Sequence, residues 1–144
     1  MINQTQPQYF LEKVRNSFHS LEGKKVTVFG LSFKPHTDDT RESVSFPIMK
    51  QLLDEKANVV VHDPIVHLSK YWLDKGVTQC SDPYEAALES DIILICTNWP
   101  HYEELDWAKV RNIVHHAFVF DGRNMLEAGK MNELNFNYEG IGYP

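Results

Sequence analysis

The residues best suited to chemistry cluster in VFGLSFKPHTDDTRES, residues 28–43. An apolar run meets Gly30 and is followed by Phe33, Lys34, Asp38, Asp39 and Arg41. Lysine is a mobile point charge and arginine a planar two-pronged donor, so this loop could hold a phosphate through side chains. The same cations could equally stand in solvent or pair with Asp38, Asp39 and Glu42. The two aspartates also have an ordinary reading as turn formers. A third cation, Arg123, lies in DGRN (121–124) after another apolar run.

Other reactive types carry weaker signals. His115-His116, and His62 beside Asp63, could be taken for metal ligands. No third ligand is spaced to complete a site, so both read as structural. Trp99, His101 and Tyr102 follow DIILICT (91–97) and either line a cleft or shield the sheet edge. Trp107 reads as core. Cys80 and Cys96 have no glycine-rich or basic neighbours to activate a thiol. They read as core thiols of a reducing compartment, in preference to a disulfide.

The surroundings of these residues follow from composition and pattern. At 144 residues, 42% apolar and 24% charged, the chain is one ordinary domain with a sizeable core. No apolar run approaches the roughly 20 residues of a membrane span, and MINQTQPQY is no signal peptide, so a cytoplasmic protein is expected. A formal charge of −6 argues against broad nucleic-acid or membrane-surface binding. An anionic ligand would then be held by a few aimed cations.

Helical spacing of Phe10, Leu11, Val14, Phe18 and Leu21 predicts a helix over 7–21. Strands are predicted at 25–30, 58–64, 77–80, 91–97, 117–122 and 136–142. Helices are predicted at 46–56 with Ser45 as N-cap, near 68–73, after Asp82-Pro83, at 106–114 and near 125–131. Continuous apolar strands alternating with helices indicate a parallel sheet covered on both faces. The fold class is therefore α/β, a Rossmann-like doubly wound sheet of about five or six strands. Ligands of such sheets bind at the carboxyl ends of the strands, beyond Phe29, Val61, Thr97 and Phe120. The usual glycine-rich phosphate loop is missing, since no second or third glycine follows Gly30 before the next helix.

GLSFKPHTDDTRES, with HDP (62–64), DGRN (121–124) and YEGIG (138–142), resembles the C-terminal domain of the UDP-glucose and GDP-mannose dehydrogenase family. The likeness covers the whole chain, in order, and is greatest to the UDP-glucose 6-dehydrogenases. It implies a domain that holds the nucleotide of a UDP-sugar and closes a cleft over NAD, which an N-terminal domain binds. Residues 1–22 are then the end of an inter-domain helix that pairs subunits into a homodimer, and 23–144 the sugar-nucleotide-binding domain. The resemblance implies that Phe33, Lys34 and Arg123 contact substrate and that Arg41 reaches NAD across the cleft. His36 and Thr40 depart from many relatives.

The family's cysteine motif and GxGxxG are missing from this sequence, so the chain is expected to be inactive alone. Within the family, a domain of a GDP-mannose or UDP-N-acetylmannosamine dehydrogenase is the alternative, and two rival readings stand outside it. A stand-alone nucleotide-binding module needs no partner. An oligomerisation domain would use the apolar face of residues 10–21, left exposed without its usual neighbours.

Overall fold

KVTVF, NVVVH, IILI and FVFD become four parallel strands that are buried on both faces and must be covered by helices on both sides, and two short, partly exposed strands complete a six-stranded parallel sheet. The computed structural model describes residues 2–32, 34–41 and 43–140, with side chains from residue 7 onward. Phe33 and Glu42, and Ile141 and Gly142 of YEGIG, lie outside the described residues.

The strands are β1 (Lys25–Phe29), β2 (Asn58–His62), β3 (Thr78–Gln79), β4 (Ile92–Ile95), β5 (Phe118–Asp121) and β6 (Asn137–Gly140). Their order, β3-β2-β1-β4-β5-β6, is that of a doubly wound sheet whose direction of growth reverses between β1 and β4. In register, Phe29 lies beside His62 on one side and Ile95 on the other, which brings the carboxyl ends of β2, β1 and β4 level.

Alternation along each strand divides the core in two. Val26, Val28, Val59, Val61, Ile92, Leu94 and Phe120 face α1 (Ile2–Ser17) and α2 (Ser45–Asp54). Phe29, Val60, Ile93, Ile95 and Val119 face the other side. That side is covered by α4 (Pro83–Ala87), α5 (Pro100–Glu103), α6 (Trp107–Ile113) and α7 (Ala128–Glu133), while α3 (Lys70–Asp74) precedes the β3 edge. Asp82 and Asp106 start α4 and α6 by accepting the N–H of Glu85 and Lys109.

The first helix runs from Ile2 to Ser17, earlier than its apolar spacing suggested, with Pro7 inside it. Its inner face corrects the expectation of an exposed surface at residues 10–21. Phe10, Leu11, Val14 and Leu21 are buried against this chain's own sheet. Arg15 ties the helix to Gln51 and Glu55, and a Cβ on Gly122 would lie 2.6 Å from the Phe10 ring. The apolar stripe is therefore domain core. Ser45 also departs from expectation. Val44 holds the N-cap position without a side-chain bond, and the buried Ser45 hydroxyl donates to the Gly30 carbonyl at 2.6 Å.

Candidate functional site

The reversal of strand order opens a crevice beyond β1 and β4, and the first turn after β1 is pinned there by its neighbours. Gly30 has φ +101°, and a Cβ on it would overlap the Thr97 side chain and lie 2.7 Å from the Thr97 nitrogen. Its N–H donates to the His62 carbonyl at 2.9 Å. Leu31 N–H donates to Asp63 Oδ2 at 2.7 Å, and the Thr97 hydroxyl donates to the Ser32 carbonyl at 2.6 Å. The Ser32 hydroxyl in turn donates to the Lys34 carbonyl at 2.7 Å. Asp63 holds its own turn as well, accepting the N–H of Ile65 and Val66 at 2.8 Å each.

These bonds decide what the turn can bind. The N–H groups of Gly30 and Leu31 are spent internally, and the face of Gly30 is filled by Thr97. A dinucleotide pyrophosphate, which a glycine-rich turn would cradle with free amides, has no such cradle here. The residues of this chain do not fit NAD as a resident cofactor at its own switch point. An anion must instead be met by side chains, and the exposed Lys34 stands directly beyond the pinned turn.

Arg123 is mounted in the same manner at the end of β5. Asp121 is fully buried and accepts Arg123 N–H on one oxygen at 3.0 Å. Its other oxygen accepts Met125 and Leu126 N–H at 2.8 and 2.9 Å and lies 2.8 Å from the Tyr138 hydroxyl. Burial, then that Asp121 bond, push the Tyr138 hydroxyl well above the usual tyrosine range. Only β4 separates β1 from β5, so the loops bearing Lys34 and half-buried Arg123 begin about 10 Å apart.

Arg41 is folded onto its own loop. Its Nε and Nη2 donate to the two oxygens of Asp39 at 3.0 and 2.8 Å, and the pair is exposed. The Arg41 side chain first, and its N–H second, hold the Asp39 carboxyl at about 2. The structure thus brings Lys34 and Arg123 to one edge, turns Arg41 back on Asp39, and leaves Phe33 undescribed.

Trp99 and Tyr102, open between cleft and cover on sequence grounds, are cover. Trp99 is 2% exposed, and Tyr102 stacks on Phe29 with its hydroxyl 2.9 Å from His62 Nδ1. His36 and His101 lie over Trp99 and are exposed. Burial lowers the pKa of His62, so its ring is a neutral core group, as the structural reading of HDP expects. Burial pushes the Cys96 thiol up to about 12 and raises that of Cys80, so neither is a thiolate nucleophile at neutral pH. Trp107 is buried, and its indole N–H donates to the Tyr102 carbonyl.

Sequence reasoning missed the residues that mount the cations: Ser45, Asp63, Thr97 and Asp121. An aspartate directly after an apolar run, in HDP and in FDGRN, was the available signal for two of them. The long-range approach of the Asp91 carboxyl to His115 and His116, all three within 4.8 Å of one another, was not visible in the sequence either.

A doubly wound parallel sheet with cations mounted at its carboxyl edge defines a Rossmann-like nucleotide-binding domain. Residues 27–128 match the UDP binding domain of the UDP-glucose/GDP-mannose dehydrogenase family, and the chain belongs to that family. It is 36% identical over 159 residues to a UDP-glucose 6-dehydrogenase of Bos taurus, covering 98% of this chain and 32% of that protein. A UDP-glucose dehydrogenase structure from the archaeon Pyrobaculum islandicum superposes with a TM-score of 0.77 at 34% identity, over 99% of this chain and 31% of the other. A UDP-N-acetyl-mannosamine dehydrogenase structure from Staphylococcus aureus gives 0.75 at 28% identity, over 98% and 32%. The chain spans about a third of the length of these relatives.

Proposed function

We propose that this chain holds the nucleotide diphosphate of a UDP-sugar within an NAD-dependent nucleotide-sugar 6-dehydrogenase, UDP-glucose being the preferred substrate. The observation that carries the reading is the pinned turn after β1. It withholds its amides yet presents Lys34 one strand away from Arg123. Two aimed cations neutralise a diphosphate without a basic face, which suits a chain of net charge −6. Phe33 borders the sugar nucleotide in this reading.

NAD and the thiol nucleophile belong to a further domain, which this one closes against. Arg41 would leave Asp39 to meet the cofactor there, exchanging one exposed carboxylate for a phosphate at little cost. Oxidation of the sugar C6 alcohol to a carboxylate is the activity of that assembly, and this chain alone forms no NADH. A homodimer through α1 would rest on its outer residues such as exposed Tyr9, because the inner face is already covered. Sedimentation of the chain at rising concentration reads that pairing.

Calorimetry with UDP, UDP-glucose and GDP-mannose tests the ligand. The uridine compounds bind, and Lys34→Ala and Arg123→Ala each weaken them about tenfold or more. Mixed with an NAD-binding domain of a relative, the chain should support NADH formation from UDP-glucose. Turnover unchanged in both variants would sink the residue assignments.

A further inference from the structure

The amino-end edge of the sheet, opposite the loops of Lys34 and Arg123, gathers Asp91, His115 and His116. Asp91 immediately precedes β4, and the histidines lie in the turn before β5. The β4–β5 register sets Ile92 beside Phe118 and so brings both segments to the same place. The N–H groups of His115 and His116 both donate to the Ser90 carbonyl, at 2.8 and 3.0 Å, which fixes the turn. Both rings then converge on one atom: each Nδ1 lies 2.7 Å from Asp91 Oδ1. The other Asp91 oxygen accepts the Lys25 N–H at 2.9 Å, which orients the carboxyl. The Asp91 side chain is 9% exposed, whereas the two imidazoles are 61% and 46% exposed.

We propose that Asp91, His115 and His116 form a binding site for a divalent transition-metal ion of the zinc, nickel or copper class. The ligands are Asp91 Oδ1 and the two Nδ1 atoms, with the remaining position open to water. All three donor atoms lie within 4.8 Å of one another. A tetrahedral ion with bonds of about 2.0–2.2 Å needs donors about 3.3 Å apart. Each ring therefore has to retreat from Asp91 by only about half an ångström, a movement exposed side chains can make. Two imidazoles with one carboxylate select such ions over magnesium or calcium, which prefer all-oxygen shells. The Lys25 N–H supplies the outer bond that holds a ligating carboxylate in place.

Without an ion, both imidazoles direct Nδ1 at a single carboxyl oxygen. With one, each neutral ring keeps its proton on Nε2, and the shared oxygen, both nitrogens and the ion satisfy one another. The ion would tie the start of β4 to the turn before β5, and through Lys25 to the start of β1. It therefore stabilises the folded chain by mass action. Its place at the amino-end edge keeps it apart from the cations that would meet the nucleotide.

The test uses the untagged chain, stripped with a chelator and titrated with zinc chloride by calorimetry, with cobalt(II) absorption as a second probe. One equivalent of zinc should bind and raise the melting temperature, and magnesium should do neither. His115→Gln and His116→Gln should each weaken zinc about tenfold or more, and the double variant should lose saturable binding. The metal-free variants should melt near the wild type because the rings are exposed. Should a variant melt early, histidine ring NMR of the wild type with zinc decides: shifts at His115 and His116 support the site. No saturable binding by the wild type, undiminished binding by the double variant, or shifts confined to the other histidines would overturn it.

Discussion

At the carboxyl edge, Asp63 and Asp121 each accept three backbone N–H groups and so freeze the turns that lead to Lys34 and Arg123. At the amino edge, Asp91 accepts one backbone N–H and spends its other oxygen on two half-exposed imidazoles. The residue type and its burial are alike, but the donors differ. Backbone N–H groups neither titrate nor leave, so the first arrangement is a rigid mount. Two half-exposed imidazole side chains can turn away, so the second is a contact that can rearrange. A charged ligand is best met by cations on the rigid mount, since little ordering remains to be done when it arrives.

The largest expected effect compares the two edges directly. Asp63→Ala strands three backbone donors and should cost about 3 kcal/mol in denaturant unfolding. Asp91→Ala strands one and should cost about 1 kcal/mol at pH 8. Equal costs would break the comparison. Thr97→Val keeps the shape that fills Gly30 but leaves the Ser32 carbonyl without its donor, and should cost about 1–2 kcal/mol.

A smaller effect appears in acid. Burial holds the folded pKa of His62 below its ordinary 6.5, so the unfolded chain takes up that proton first. Its contribution is complete above pH 6.5 and is lost progressively as the pH falls below it. Asp91 acts in the same direction but in stronger acid. Burial raises its pKa, yet the Lys25 N–H and the two histidines outweigh burial and bring it below 3.8. The stability it adds is present above pH 3.8 and is lost as the pH falls through the lower folded value. His62→Asn should flatten the stability curve just below pH 6.5, and curves that stay parallel would contradict this account of His62. Arg41→Ala is the smallest case. The exposed pair with Asp39 should leave the unfolding midpoint unchanged.

Much of the fold was legible because its cues are local. KVTVF, NVVVH, IILI and FVFD are apolar runs of strand length, and Asp82 and Asp106 are N-caps three residues before the N–H they accept. The cations were legible by type and by position after a strand. What pins the turn before Lys34 was not, because those bonds cross between strands, whereas Asp121 holds the Arg123 turn through bonds only two to five residues long. Asp63 reaches Leu31 across 32 residues and Thr97 reaches Ser32 across 65. Asp91 meets its histidines only through the β4–β5 register, 24 and 25 residues away. Trp99 and Tyr102 were ambiguous for a related reason. A strand-end aromatic turns inward or outward according to the helix that follows, and α5 turns both into the core.

In the proposed function the pinned carboxyl edge, and not the amino edge, receives a uridine nucleotide. Titration of the isotopically labelled chain with UDP, followed by amide NMR, tests it most directly. The account predicts shifts at Leu31, Ser32, Lys34, Arg123 and Asn124, none at His115 or His116, and about tenfold weaker binding in Lys34→Ala with an unchanged melting temperature. Shifts centred on the amino edge, no shifts at all, or a Lys34→Ala variant that binds UDP like the wild type would contradict it.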